Sequence, residues 1–370
     1  MKKLHKSRII LAIAIVSVFI ALNYINKEIT PRTLGQTGFP LKEKWNTCIN
    51  ENIQSISTDG RGGIFIETRT ALKSYSQTTG KLIWTANVTT SRQFRFPPKI
   101  VDDKVIIEDN ENLSALDIKS GRLLWKTPWK TLFGGNTAWI ADVSEKFILL
   151  NTISDSVIIY DTKIGKKLWE VHGGRGYTQA FIDHDTVYIV DRGVKAYQAS
   201  NGNLLWEINN ERATGLSAFH KNILYYMEYP GNETIDLVAY DTEKQKELWR
   251  NNIVANNPPS TSPSGLDVYN DFLYMTQYSH VYRLNPETGE VYWSIKFNTP
   301  TDVTFVDDKI YILNPASETI YALDSESGKE LGALRIALFP YSLNTESPKM
   351  GSTGSSLVFV KGCKIFLYSK

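Results

Sequence analysis

Cysteine is almost missing from this chain of 370 residues, which has two of them together with five histidines and four methionines. Two thiols alone cannot make a zinc site, and the histidines fall in neither H-x-x-x-H nor H-E-x-x-H spacing, so the common zinc-enzyme patterns are excluded. A G-x-S-x-G nucleophile elbow is lacking as well. Gly173, Gly174 and Gly176 of "HGGRGY" could present backbone N–H groups to an anion, but neither Gly-Lys-Ser/Thr nor a helix follows, which argues against a phosphate loop. Charge of one sign is also lacking: 41 basic and 39 acidic residues leave a formal charge of +2, too little for a general nucleic-acid binder. The acidic pairs Asp102–Asp103 and Asp307–Asp308 recur at equivalent turns and read as hairpin chemistry rather than calcium ligation. No catalytic residue, metal ligand or cofactor-binding residue is expected from any of these patterns.

Long apolar runs are lacking too, with one exception. Ile9 to Leu22, interrupted only by Ser17, follows a segment carrying Lys2, Lys3, Lys6 and Arg8. Extended through Asn23, Tyr24 and Ile25, this run reaches about 17 residues, the lower limit for a membrane span. No small-x-small cleavage site follows in "IALNYINKE", which favours an uncleaved anchor over a protein secreted after signal cleavage. The positive-inside rule keeps the basic residues in the cytoplasm and sends the rest outward. No cysteine follows the run, so lipid attachment has no support. The expected layout is a cytoplasmic N-terminus over 1–8, an anchor or signal segment over 9–25, a linker over 26–40 and a domain over 41–370.

What the domain does have is repetition. Trp45, Trp84, Trp125, Trp169, Trp206, Trp249 and Trp293 follow one another at steps of 39, 41, 44, 37, 43 and 44 residues. A seventh full copy ends in Gly332, 39 residues after Trp293. Each copy reads as strand, turn, strand: "ALDIKSGRLLW", "IYDTKIGKKLW", "AYQASNGNLLW", "AYDTEKQKELW", "RLNPETGEVYW", "ALDSESGKELG". The early Asp or Asn can bond nearby backbone, and the Gly at the seventh position takes positive φ without steric cost. Upstream of each phrase lies a second pair of short strands around a polar turn, as in "KIVDDKVIIED" and "VTFVDDKIYIL". Four strands in about 40 residues cannot bury both faces alone, so the units must stack, and stacking around an axis is the closed solution. The ends agree: "SSLVFVKGCKIFLYSK" stops where a Trp strand should follow, and "PLKEKWNTC" is a Trp strand without its hairpin. The predicted fold is all-β, an eight-bladed propeller of four-stranded antiparallel blades whose closing blade is shared by the two termini, preceded by one transmembrane helix.

The recurring phrase resembles the Trp-docking motif of propellers related to pyrroloquinoline-quinone (PQQ) dehydrogenases and to the outer-membrane assembly lipoprotein B, over residues 41–370. Gln245 in place of Gly and Gly332 in place of Trp depart from it and would loosen their blades. The resemblance implies that each Trp packs on the turn of a neighbouring blade, and a fully buried indole there would be worth at most roughly 4–6 kcal/mol. It also implies what a quinone enzyme would need: adjacent cysteines forming a disulfide, an Asp base, and carboxylate and amide ligands for a metal. No Cys-Cys pair occurs, so the resemblance carries fold and not activity, and no cofactor is expected.

Cys48 lies on the first Trp strand and Cys363 just before the last strand, which places them opposite, or one position off, across the closure. They form either a disulfide in an extracytoplasmic protein or two buried thiols acting as small apolar groups. The remaining candidate is surface. Loops joining successive blades carry Arg92, Phe94, Arg95, Trp129, Arg175, Tyr177 and Arg212, cations and rings of the kind enriched at binding hot spots, although ordinary solvated loops would look much the same. The function expected is non-catalytic binding or scaffolding of an envelope protein, peptide or cell-surface polymer. The alternatives are a degenerate quinoprotein or small-ligand sensor using the central funnel, and a rigid spacer.

Overall fold

The computed structural model describes residues 38–370 apart from 50, 89–96, 110, 130–137, 173–178, 211, 232–233, 253–262, 278–279, 298–301, 315–316 and 337–347. The predicted anchor and most of the linker therefore lie outside the described residues. Among the described residues no helix is long and apolar enough to cross a membrane.

The described strands form eight separate four-stranded antiparallel sheets, seven of them simple meanders. The chain begins with β1 (Lys42–Cys48) and then builds blade 1 from β2 (Ser55–Thr58), β3 (Gly63–Glu67), β4 (Ala71–Ser76) and β5 (Leu82–Asn87). Blade 2 is β6 (Lys99–Val101), β7 (Lys104–Glu108), β8 (Asn112–Asp117) and β9 (Leu123–Pro128). Blade 3 is β10 (Ala138–Val143), β11 (Phe147–Thr152), β12 (Ser156–Asp161) and β13 (Lys167–His172). Blade 4 is β14 (Gln179–Asp183), β15 (Thr186–Val190), β16 (Gly193–Gln198) and β17 (Leu204–Asn209). Blade 5 is β18 (Ala213–His220), β19 (Ile223–Gly231), β20 (Thr234–Asp241) and β21 (Lys246–Asn252). Blade 6 is β22 (Pro263–Tyr269), β23 (Phe272–Gln277), β24 (His280–Leu284) and β25 (Val291–Lys296). Blade 7 is β26 (Asp302–Val306), β27 (Lys309–Asn314), β28 (Thr319–Asp324) and β29 (Glu330–Arg335). The last blade takes β30 (Lys349–Thr353), β31 (Ser356–Lys361) and β32 (Lys364–Ser369) from the C-terminus and borrows β1.

Burial follows position in the blade. The second strand, such as β11, is buried along its length because neighbouring blades cover both its faces, whereas outer strands such as β9 alternate and stay mostly exposed. The hydrophobic core is accordingly divided into eight clusters, each lying between two adjacent blades. Ring closure is direct: β1 pairs with β32 through Lys42↔Ser369, Trp45↔Leu367, Thr47↔Ile365 and Cys48↔Lys364. Cys48 and Cys363 are joined by a disulfide with Cα atoms 5.1 Å apart, one position off the paired register as the sequence allowed.

The repeated phrase is a docking device. Gly121, at φ 70°, closes its turn by donating to the Asp117 carbonyl at 2.8 Å, while the Asp117 carboxylate accepts from the Ser120 backbone N–H at 2.8 Å. A Cβ on Gly121 would sit 2.5 Å from the ring of Trp84, so this position needs glycine for both its backbone angle and the ring that covers it. Trp84 in turn donates its indole N–H to the Ile118 carbonyl at 2.9 Å. Trp45, Trp125, Trp169, Trp249 and Trp293 repeat this bond to the carbonyls of Gln77, Thr162, Ala199, Pro286 and Glu326. Gln245, which takes the place of the turn glycine in blade 5, is itself left-handed at φ 49°, and Trp206 packs on the rings of Tyr188 and Tyr240. Of the seven indoles only Trp84 is fully buried; the others are half-buried, so the expected value of the contact shrinks in proportion to the area lost.

Gly332 does not leave a looser blade. The turn on which a Trp at this position would dock is the one between β32 and β1, two strands that no turn joins. Gly38 and Phe39 fill the place: a Cβ on Gly332 would lie 2.5 Å from the backbone of both. Phe39 then meets the rings of Tyr311 and Tyr368 edge-on at 5.8 and 6.1 Å.

Candidate functional site

Alternating strand directions put the turns between third and fourth strands on one face of the ring and the blade-to-blade connections on the other. The connections are where the binding rim was expected. Arg92, Phe94, Arg95, Arg175 and Tyr177 lie outside the described residues. Arg212 is exposed in the connection from β17 to β18, with its backbone N–H donating to the Asn210 side chain at 3.1 Å.

Trp129 must be removed from the rim. It is 4% exposed, packs in the core between blades 2 and 3, and donates its indole N–H to the Asp109 carbonyl at 2.9 Å. A ring whose only polar atom finds a partner inward gains more from burial than from facing water.

Sequence reading missed the groups that anchor Arg212's loop. Asn210 donates to the carboxylate of Glu228 at 2.5 Å, and that side chain is buried. Arg250 reaches Glu228 through both terminal nitrogens, at 2.5 and 3.3 Å, and also bonds Glu247 at 2.8 Å. These carboxylates, Glu228 before Glu247, hold the Arg250 proton above its ordinary range. Burial, reinforced by the charge of Glu228, pushes the adjacent Tyr226 hydroxyl up as well. The visible signal was an acid inside "ILYYMEY", an otherwise apolar strand.

The inner strands leave unpaired backbone groups around the channel, and neighbouring blades satisfy several of them. Asp142 accepts from the backbone N–H groups of Ile182 in the next blade and of Val143, both at 2.8 Å. Gln179 accepts from the Ser217 backbone N–H at 2.7 Å, and the Ser57 hydroxyl donates to the Pro98 carbonyl at 2.6 Å. Thr58 bonds the Ser352 carbonyl across the closure. Burial raises the Asp142 carboxyl against the pull of those N–H groups, and burial alone raises Asp267. A concavity of about 410 Å³ opens beside Ser57, Arg61, Lys99 and Asp102, with mixed charge on its wall.

These residues do not fit the quinone site described above. Both cysteines of the chain are spent in one bridge across the closing blade, 315 residues apart in sequence. Among the described residues no three His, Cys, Asp or Glu side chains come together to hold a metal. His220 is engaged with Asp271 of the next blade at 2.7 Å, and His184 stands exposed in a turn.

A family model described as outer membrane protein assembly factor BamB matches the chain in overlapping stretches, residues 45–131, 68–225, 109–262 and 231–358. No curated protein matches the sequence. Among solved structures, BamB from Moraxella catarrhalis superposes with a TM-score of 0.66 at 16% identity, covering 89% of this chain and 98% of that one. The computationally designed Ika8 protein gives 0.65 at 14% identity, covering 87% and 98%. Quinohemoprotein alcohol dehydrogenase ADHIIG from Pseudomonas putida HK5 gives 0.64 at 11% identity, covering 93% of this chain and 77% of its own. At these identities the three structures share a fold with this chain and nothing finer.

Proposed function

The chain belongs to the family described as outer membrane protein assembly factor BamB, and on that premise we propose a non-catalytic, extracytoplasmic propeller that binds an envelope protein or peptide through its loop-bearing rim. A cell-surface polymer is a further ligand of the same class. The N-terminal segment holds the ring at the membrane as a single-pass anchor. The observation that carries the location is the Cys48–Cys363 disulfide, a bond that persists outside the reducing cytoplasm. It agrees with a basic stretch followed by an apolar one at the N-terminus, and with the envelope setting in the family's name.

Geometry supports the orientation. Gly38 reaches the ring beside Gly332, on the face of the third-to-fourth-strand turns. A tether there turns the opposite face, with Arg212 and the Glu228–Arg250 network, away from the lipid. A photo-crosslinking residue placed at Arg212 in cells is expected to give one dominant adduct, and the same residue at exposed Ser120 on the other face none. Equal labelling from both positions would count against a rim-directed partner.

The raised carboxyls of half-buried Asp142 and of Asp267, both on inner strands, give the funnel reading its one specific support, since raised acids in a channel are what a ligand site would use. Adding PQQ with calcium separates the two: a saturable thermal shift or dye-linked oxidation favours the funnel, and no response favours the scaffold.

A further inference from the structure

Position one of the docking phrase lies across the sheet from the Trp. In register with Trp84, Trp125, Trp169, Trp206, Trp249 and Trp45 stand Ser74, Ala115, Ile159, Ala196, Ala239 and Leu367, and opposite Gly332 stands Ala322. Blade 6 alone puts a charge there, with Arg283 opposite Trp293.

Arg283 is 6% exposed. Its guanidinium lies 3.6 Å from the centre of the Phe272 ring and 5.2 Å from that of Tyr292, so aromatic rings cover its flat faces. Asn285 fixes Tyr292 by donating to its hydroxyl at 2.9 Å. One terminal nitrogen, Nη1, donates to the Glu326 carbonyl of blade 7 at 2.6 Å. Nε is buried with no hydrogen-bond partner. The neighbouring Tyr274 is raised by burial and pulled back by Arg283, but a hydroxyl brings no negative charge. Among the described residues no carboxylate forms an ion pair with Arg283. A buried cation without a counter-ion costs several kcal/mol in general. Beside it opens a concavity of about 410 Å³ lined by Phe272, Tyr292, Trp293, Glu326 and Ser327.

We propose that this concavity is a carboxylate-binding site, with Arg283 as its cation and an acidic side chain or free C-terminus of a peptide as its ligand. With the planar faces stacked, Nη1 committed to Glu326 and the Tyr274 hydroxyl also hydrogen-bonded to the guanidinium, the donor without a partner is Nε, on the Nε–Nη2 edge. Two parallel N–H groups on that edge match the two oxygens of a carboxylate. The ring walls of Phe272, Tyr292 and Trp293 supply apolar contact for the rest of the residue. The site sits by the third-to-fourth-strand turn of blade 7, on the face opposite the rim, and it stands whether or not the rim binds a protein.

The test is ligand-observed fluorine NMR on the full chain with 4-fluorophenylacetate, the neutral 4-fluorophenylacetamide and 4-fluorophenylphosphonate. The carboxylate should bind saturably, with the amide at least tenfold weaker. Arg283→Ala installs the residue that blades 2, 4, 5 and 7 carry, so it should fold, keep its thermal midpoint and lose the carboxylate. Two short peptides then separate the sources: one with a free C-terminus and no acid, one amidated with a single internal Glu. Equal binding of acid and amide, tighter binding of the phosphonate, or undiminished binding by folded Arg283→Ala would each overturn the assignment. The wild-type comparison of acid with amide stands even if the variant fails to fold.

Discussion

Removing the bridge across the closing blade should expose how much of the ring's stability resides in its closure. The disulfide joins residues 315 positions apart, nearly the whole propeller. Loop-closure entropy for a ring of that length comes to about 5–6 kcal/mol, an upper value because an unfolded chain with residual structure has less entropy to lose. For roughly 330 residues an unfolding entropy of about 2.1 cal/mol/K per residue gives about 0.7 kcal/mol per kelvin, so the full effect corresponds to a midpoint shift of about 8 °C. The Cys48→Ala/Cys363→Ala double variant, scanned by calorimetry beside the oxidised wild type at several scan rates, should melt about 5–8 °C lower. A reducing agent should bring the wild type to the same midpoint. The β1–β32 ladder and the docking of Trp45 on the Gly80 turn remain in the variant, so it should still fold. A shift under about 2 °C would refute the reasoning, because it would mean that strand pairing holds the ends together so firmly that the cross-link constrains nothing.

Gly121→Ala should cost about 2–3 kcal/mol and Gly60→Ala only about 1 kcal/mol, read from denaturant midpoints. Both glycines are left-handed, at φ 70° and 67°, but only Gly121 faces a Trp ring, so equal losses would remove the indole from the account. Gly332→Ala should displace Gly38 and Phe39 and cost about 1–3 kcal/mol, seen as faster proteolysis near residue 38; unchanged cleavage would mean that the segment does not replace a docking Trp. Asp142 has a folded pKa above its unfolded value, so the folded state binds the extra proton and stability falls as pH rises from the unfolded value through the folded one. Asp142→Asn keeps an acceptor for the Ile182 N–H and should flatten that fall; an unchanged stability–pH profile would show that burial does not govern this carboxyl.

Much of the architecture could be read from the chain because it depends on a period. Trp spacing, Asp or Asn at the turn and Gly in its left-handed seat are local requirements repeated in phase, and a strand orphaned at each end can be completed only by the other. Cys48 and Cys363 were placed by the same counting. One of the rim residues, Trp129, was misplaced for the opposite reason. Trp129 follows the last residue of β9, and whether its ring points to water or between blades depends on Asp109 and on blade 3, which no spacing within blade 2 reveals. Glu228 and Arg250 lie 22 residues apart and meet only because β20 brings β19 and β21 to either side of it.

Departures from a repeat therefore carry different information according to whether topology accounts for them. Gly332 breaks the Trp rule, and the reason is geometric: no turn joins β32 to β1 for a Trp to dock on, and the backbone of Gly38 and Phe39 needs the space. Gly332 therefore reports the closure and nothing about ligands. Arg283 breaks the rule at position one in a blade whose own turn and Trp are intact. Small or aliphatic residues satisfy that position in the other blades, and a buried guanidinium with an unpartnered Nε is costlier than any of them. A repeat that tolerates Ala in four blades has no packing reason to place a cation in another. The rings of Phe272 and Tyr292 and the Glu326 carbonyl offset part of that cost, and a ligand arriving with a negative charge would offset the rest, which makes the carboxylate titration of blade 6 the measurement on which this distinction rests.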